Sequence, residues 1–342
     1  MIAAEAHGFG VPNRVATGEL ASERAFFMDA AIVGEGNRLD KNIMDFLENE
    51  RKAYYNALHL INLALAEDFL PEMDDLTSRL TIPETASGSA RFVARASGVL
   101  AGEPLLRMLC QQYSLTVGPG RSLRDGDRLD PGSEIVRVEG SMRKLLAMER
   151  TALNFLQRLS GVATMTARFA AEVAGTKAII LDTRKTTPGW RALEKYAVRC
   201  GGGINHRFGL YDAVLIKDNH LAWLEHTGDP IGRAVKLARE GAPKGTKFIE
   251  VEVDTLEQFD RALEVGPDII LVDNLGPEKL AEAVRRRDER APGILLEASG
   301  GVTLATVRAL AETGVDRISV GALTHSAPAL DIGLDFDRAI GP

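Results

Sequence analysis

Apolar positions in this chain keep one period early and another late. From Asn42 to Glu67 they recur at three and four residues, through Ile43, Phe46, Leu47, Tyr54, Leu58, Ile61 and Leu65, which predicts an amphipathic helix or helix pair ended by Pro71. Between residues 74 and 140 the period falls to two. Residues 89–95 (SARFVAR) and 134–140 (EIVRVEG) alternate apolar with polar, and Arg124-Asp125-Gly126-Asp127 and Asp130-Pro131-Gly132-Ser133 supply turns between candidate strands. This pattern predicts a small antiparallel sheet with one face open to helices. Residues 142–159 then carry leucine, methionine and phenylalanine at helical spacing, predicting a helix that ends at Ser160-Gly161.

From about Gly161 onward, short apolar runs alternate with helical or loop segments. The runs are 177–181, 213–216, 248–253, 269–272, 294–298 and 317–320. Six such units, with room for a seventh that periodicity does not resolve, predict a parallel α/β barrel or a doubly wound sheet. The barrel is preferred because polar residues follow almost every run, at the strand ends where such barrels place their chemistry. Asp182, Arg184 and Lys185 follow the first run, and Lys217 and Asp218 the second. Glu250 and Glu252 share one face of the third, since strand side chains repeat every two residues. Asp273-Asn274, Ser299-Gly300-Gly301 and Gly321-Ala322 follow the remaining three.

Length and charge narrow the classes. At 342 residues the chain suggests two domains or a barrel with an appendage, and its formal net charge of −7 argues against general nucleic-acid binding. No run of 18 apolar residues occurs, and the N-terminus lacks the basic-then-apolar order of a signal peptide, so no membrane partner and a cytoplasmic location are expected. Cys110 and Cys200 lie far apart, as in a reducing compartment. The first 40 residues show no sustained period and receive no role.

Against that acidic background, residues 181–220 concentrate Arg184, Lys185, Arg191, His206, Arg207 and Lys217. Arg191 and Lys195 fall in a helix-like piece and read as a solvated face. Arg184, Lys185 and Lys217 stand at strand ends, and His206-Arg207 follow a glycine run that can turn them inward. Arginine forks match carboxylates and phosphates, so an anion with several carboxylates is the natural ligand. The glycine pairs after the last two strands suit a phosphate held by backbone N–H groups and a helix N-terminus, with Thr303 and Ser326 as added donors; tight turns alone are the alternative. Glu252 and Asp273 would hold sugar hydroxyls or Mg²⁺, or act as acid and base; the alternative is a salt-bridge layer with Lys185 and Lys217. The histidines lack a Cys or His partner at zinc spacing, so any metal is expected to be Mg²⁺ arriving with a phosphorylated substrate. On spacing alone Arg150 reads as a surface residue.

Ordered motifs resemble the quinolinate phosphoribosyltransferases, also called carboxylating nicotinate-nucleotide pyrophosphorylases. They are Glu149-Arg150-Thr151-Ala152-Leu153-Asn154 with Leu159-Ser160-Gly161, DTRKTTPG at 182–189, GGGINHR at 201–207, LIKDNH at 215–220, EVEV at 250–253, VDN at 272–274, EASGG at 297–301 and VGALTHS at 320–326. The resemblance implies an N-terminal open-faced α/β sandwich, here residues 41–160, and an incomplete seven-stranded α/β barrel, here 161–326. The tail 327–342 would pack back on the first domain, and residues 1–40 form an extension without counterpart. It further implies a homodimer whose sites are shared: Arg150 from the neighbouring chain joins Arg184, His206, Arg207 and Lys217 around the two carboxylates of quinolinate. By the same resemblance Lys185 is a catalytic, phosphate-contacting cation, and Glu252 and Asp273 hold the ribose hydroxyls and Mg²⁺ of phosphoribosyl pyrophosphate. Ser299, Gly300, Gly301 and Gly321 match the 5′-phosphate cradle, with His325 beside it. The implied activity is phosphoribosyl transfer to quinolinate with decarboxylation, in NAD biosynthesis. The chain departs from the family at 67–77, which lacks an expected glycine. Competing readings are a phosphoribosyltransferase for nicotinate, a barrel aldolase using Lys185 or Lys217 as a Schiff base, and a phosphate-sugar-binding protein without turnover.

Overall fold

The structure, a computed structural model, describes residues 41–69, 75–118 and 123–337. The N-terminal extension 1–40 and residues 70–74, the middle of the glycine-lacking segment with Pro71, lie outside the described residues. The early helical period forms a helix pair, α1 (Lys41–Asn49) and α2 (Arg51–Phe69). A short α3 (Leu76–Thr81) follows, capped by Asp75, whose carboxylate accepts the N–H groups of Thr77 and Ser78. Next come β1 (Ser87–Ala94), β2 (Gly98–Val99), α4 (Glu103–Gln112), β3 (Thr116–Val117), β4 (Arg128–Leu129) and β5 (Glu134–Ser141).

The two alternating segments pair with each other as β1 and β5, antiparallel, with Ala90 opposite Val138 and Phe92 opposite Val136. Those four side chains are buried, while Arg91 and Arg137, also opposite each other, are not. Asp337 lies between the two guanidiniums and removes the like-charge conflict. It comes from the C-terminal strand β12 (Ile332–Phe336) and its flank, which pairs antiparallel with β1 and completes the order β12-β1-β5-β3.

Helix α5 runs from Met142 to Glu172, so Ser160-Gly161 does not end it. Glycine stands there for a different reason: a Cβ on Gly161 would meet the Pro328 carbonyl oxygen at 2.1 Å. Its absence lets the tail cross the helix, where Leu330 N–H bonds the Gln157 carbonyl.

The second half alternates strand with helix, with two helices between its second and third strands. β6 (Ile179–Leu181), α6 (Arg191–Cys200), β7 (Val214–Ile216), α7 (Asp218–Leu224), α8 (Pro230–Gly241), β8 (Ile249–Val253) and α9 (Leu256–Val265) are followed by β9 (Ile269–Asp273), α10 (Pro277–Arg290), β10 (Leu295–Ser299), α11 (Val307–Glu312), β11 (Arg317–Ser319) and α12 (Ala322–His325). The strands are parallel in the order β6-β11-β10-β9-β8-β7. The seventh strand is reduced to one bridge beyond β6, where Ile204 N–H bonds Ile180 O at 2.9 Å and Asp182 N–H bonds Ile204 O at 3.2 Å. Among the described residues no ladder joins Ile204 to β7. The Arg207 side chain reaches across instead, donating to the Ala213 carbonyl at 3.4 Å. The barrel is therefore incomplete, and its gap is lined by the segment richest in cations.

Candidate active site

The C-terminal strand ends surround a cavity of about 710 Å³. Thr183, Arg184 and Lys185 reach it from the loop after β6, His206 and Arg207 from the gap, and Lys217 from the end of β7. Glu252, Asp273 and Ser299 reach it from β8, β9 and β10, with Gly300, Gly301, Gly321 and His325 from the loops beyond. Arg150 does not line it; that residue is exposed on α5. Ser326 also lies off the lining, its hydroxyl 2.6 Å from His325 Nδ1, whereas Thr303 is on it.

The cationic side is crowded. Arg184 Nε is buried and makes no hydrogen bond within the described protein. Burial and the neighbouring Arg184 charge lower the pKa of Arg207. Two guanidiniums that destabilise each other in one pocket call for an anion. Lys217 is already partly neutralised, since its ammonium donates to Glu252. That pair realises part of the salt-bridge alternative, and leaves Asp273 as the freer carboxylate. Burial and then Asp254 raise the pKa of Asp273, with Lys217 and Lys185 pulling the other way.

The GGGINHR segment is held by a buried ion pair. Lys195 was expected on a solvated helix face, yet it is 1% exposed and its ammonium donates to Asp182. Asp182 also accepts the His206 N–H at 2.9 Å and an Asn205 side-chain N–H at 2.6 Å. Burial raises the pKa of Asp182 and lowers that of Lys195, while their attraction opposes both shifts. One carboxylate thus ties the end of β6 to the bend that delivers His206 and Arg207.

Beneath the mouth lies a charged layer whose convergence sequence reasoning missed. His206 Nε2 is 3.1 Å from Glu250 and 3.3 Å from Glu297, both fully buried, and Arg317 Nε donates to Glu297 at 2.7 Å. On the other edge of the ring, Nδ1 lies 2.7 Å from the Arg207 nitrogen and accepts its N–H when the ring is neutral, which puts the neutral ring's proton on Nε2. Burial alone would lower the histidine pKa, but the two carboxylates beside Nε2 push it up to about 9. Burial and Glu297 raise the pKa of Glu250. For Glu297, His206 and Arg317 overcome burial and lower it. The three groups therefore titrate as a unit and not independently. Among the described residues they are also the one His/Cys/Asp/Glu group close enough to hold a metal ion, with donor atoms within 4.8 Å of one another. Arg317 already supplies positive charge there. Glu250 was legible as a same-face neighbour of Glu252; Glu297 had only its place before the glycine loop as a signal.

The opposite rim is built from backbone. Gly300 has φ +92°, and a Cβ there would lie 2.1 Å from Asn274 Oδ1; at Gly301, φ +57°, nothing stands within 4 Å. A Cβ on Gly321 would meet Lys185 Cδ at 2.9 Å and His325 Nε2 at 3.1 Å. The glycines thus keep this rim low enough for an anion to approach main-chain N–H groups. The helix that follows Gly321, α12, is only four residues long.

Comparison with known proteins agrees with this geometry. Residues 75–160 and 162–335 match the N-terminal and C-terminal domain models of quinolinate phosphoribosyl transferase. The chain is 46% identical over 278 residues to the carboxylating nicotinate-nucleotide pyrophosphorylase of Mycobacterium leprae, covering 81% of this chain and 95% of that protein. It is 37% identical to a decarboxylating quinolinate phosphoribosyltransferase of Nicotiana glauca, covering 84% of each. The solved nicotinate-nucleotide pyrophosphorylase of Francisella tularensis superposes with a TM-score of 0.74 at 36% identity, over 82% of this chain and 96% of that one. With both domain models matched in order around one cationic barrel mouth, the chain belongs to the quinolinate phosphoribosyltransferase family.

Proposed function

We propose that this protein transfers the phosphoribosyl group of phosphoribosyl pyrophosphate to quinolinate with loss of CO₂, giving nicotinate mononucleotide and pyrophosphate for NAD biosynthesis. The observation that carries this reading is the buried, unbonded Arg184 Nε beside Arg207, facing a cavity whose other wall is a glycine rim. A single carboxylate, as in nicotinate, would leave part of the cationic set without a partner.

Arg184, Arg207 and Lys217 receive the two carboxylates of quinolinate, with His206 behind them. The 5′-phosphate rests on Ser299, Gly300, Gly301 and Gly321, beside His325. Lys185, between these regions, meets the leaving phosphates and stabilises the charge that develops as the C1′–O bond breaks. The pyridine nitrogen forms the new bond to C1′ and becomes cationic. The bond from C2 to its carboxylate then breaks, its electron pair remains on C2 beside that positive nitrogen, and C2 takes up a proton. Lys185 and Lys217 are the ammonium groups lining the cavity.

Asp273 and Glu252 offer oxygen donors suited to a hard cation, and they would hold Mg²⁺ directly or through substrate oxygens. Bound there, Mg²⁺ supplies charge neutralisation for pyrophosphate. Arg150 is exposed on α5 and belongs, in this reading, to the site of a second copy in a homodimer. We also assign residues 41–160 and 161–326 as the two domains, although α5 continues across their junction, and place the enzyme in the cytoplasm.

Purified protein with quinolinate, phosphoribosyl pyrophosphate and Mg²⁺ should yield nicotinate mononucleotide and pyrophosphate, with nicotinate a poor substitute. Folded dimer that forms neither product, or prefers nicotinate, would contradict the proposal. Arg150→Ala and Lys185→Ala should each lose most activity alone, and a mixture should recover some through hybrid dimers. No recovery after verified subunit exchange would remove the shared site.

A further inference from the structure

Three residues outside the cavity tie the Arg184-Lys185 loop to the phosphate-side rim. Glu194, on α6, is 0% exposed. Its carboxylate accepts the Thr187 N–H at 3.0 Å, the Thr187 hydroxyl at 2.8 Å and Arg158 Nη2 at 2.5 Å. Arg158, from α5, also donates to the carbonyls of Thr324 and Ala327, the latter at 2.9 Å. Thr324, 0% exposed on α12, closes the circuit by donating its hydroxyl to the Lys185 carbonyl at 2.7 Å.

The loop is thereby held at Lys185 itself and again two residues later. Phe155 of α5 adds a stacked contact with Trp190 at the loop's far end, with ring centroids 5.1 Å apart. The aliphatic part of Lys185 lies against Gly321, the residue that opens α12. A buried carboxylate is costly unless its partners compensate it. Here every partner of Glu194 belongs to the loop or to the arginine that grips α12, and none lines the cavity.

We infer that Arg158, Glu194 and Thr324 are positioning residues that fix the Lys185 ammonium against the Gly321 rim, setting the separation between the dicarboxylate side and the phosphate side of the site. The inference rests on the transfer reading above. Misplacing a reacting group by about 1 Å costs on the order of 100-fold in rate, which is the scale on which such a clamp acts.

Thr324→Val removes the hydroxyl while keeping the side chain's shape, and Glu194→Gln keeps acceptor oxygen but loses the charge. In the full-length protein, kcat should fall by about 10- to 100-fold in Thr324→Val, while the affinities for quinolinate and phosphoribosyl pyrophosphate, measured by calorimetry, stay within about threefold. Thr324→Ser should restore kcat to near the wild-type value. Hydrogen exchange of the peptide spanning 183–190 should quicken in Glu194→Gln and Thr324→Val, with β1 and β5 unchanged. Unaltered kcat in folded Thr324→Val, failure of Thr324→Ser to rescue, or unaltered exchange at 183–190 would each overturn the inference. A wild-type protein with no turnover defeats the transfer reading instead, and the exchange comparison still decides whether the clamp holds the loop.

Discussion

On the small sheet Ala90, Phe92, Val136 and Val138 are buried while Arg91 and Arg137 remain accessible; below the barrel mouth, Glu250, Glu297 and His206 are buried on the inward face. The barrel's apolar side chains, such as Val251, Ile270, Leu296 and Ile318, occupy alternate positions on its strands. Burying Phe92 stabilises the fold with no partner required, since apolar area leaving water is favourable by itself. Burying Glu297 costs free energy until His206 and Arg317 meet it. The small sheet thus buries an apolar face alone, whereas the barrel buries both an apolar layer and a charged one beneath its mouth. Substitutions in the two regions should accordingly fail in different assays.

The largest contrast is expected from Lys185→Ala. It should lower quinolinate-dependent turnover by about 10²–10³-fold, the scale of removing one group that stabilises developing charge. Lys185 is exposed, so thermal unfolding should stay within a few degrees of wild type. A large fall in Tm with modest activity loss would place Lys185 in the support of the fold instead of the chemistry.

Phe92→Ala should give the inverse result. Emptying a fully buried phenylalanine position costs about 3–5 kcal/mol, read as a lower midpoint in denaturant, while kcat per folded molecule stays near wild type. A specific loss of kcat in the folded variant would show that the sheet does more than support.

The smallest effect is a pH slope that only the barrel should carry. The folded state raises the His206 pKa from its ordinary 6.5 to about 9, so it binds more protons than the unfolded chain between those values. The stabilisation is complete below about pH 6.5 and is lost as pH rises through 9, by on the order of 1–3 kcal/mol. Chemical denaturation at pH 7 and 9.5 should show this slope in wild type and in Phe92→Ala, and a weaker one in Glu297→Gln. Equal slopes in all three proteins would detach it from the charged layer.

The same division explains what could be read in the chain beforehand. Period-two alternation located β1 and β5, because a half-buried sheet writes its faces into consecutive residues. Apolar runs located β6 to β11, and the residues after them formed the mouth. Three features were hidden because they depend on partners remote in sequence. Lys195 looked solvated on its helix until Asp182, 13 residues earlier, was found against it. Gly161 looked like a helix end until the Pro328 carbonyl was seen to cross there. Glu194 and Arg158, 36 residues apart on different helices, carried no local signal at all. The seventh strand was illegible because it amounts to one bridge at Ile204. Arg150 could be singled out only by resemblance to the family, since it does not line this chain's own cavity.

Coupling of ring-nitrogen transfer to decarboxylation at the barrel mouth can be followed directly by isotope labelling. Quinolinate labelled with ¹³C in its 2-carboxylate should release one labelled CO₂ for each nicotinate mononucleotide formed, with a 3-carboxylate label kept entirely in the product. Label retained in the nucleotide, or CO₂ released without phosphoribosyl pyrophosphate, would contradict the account.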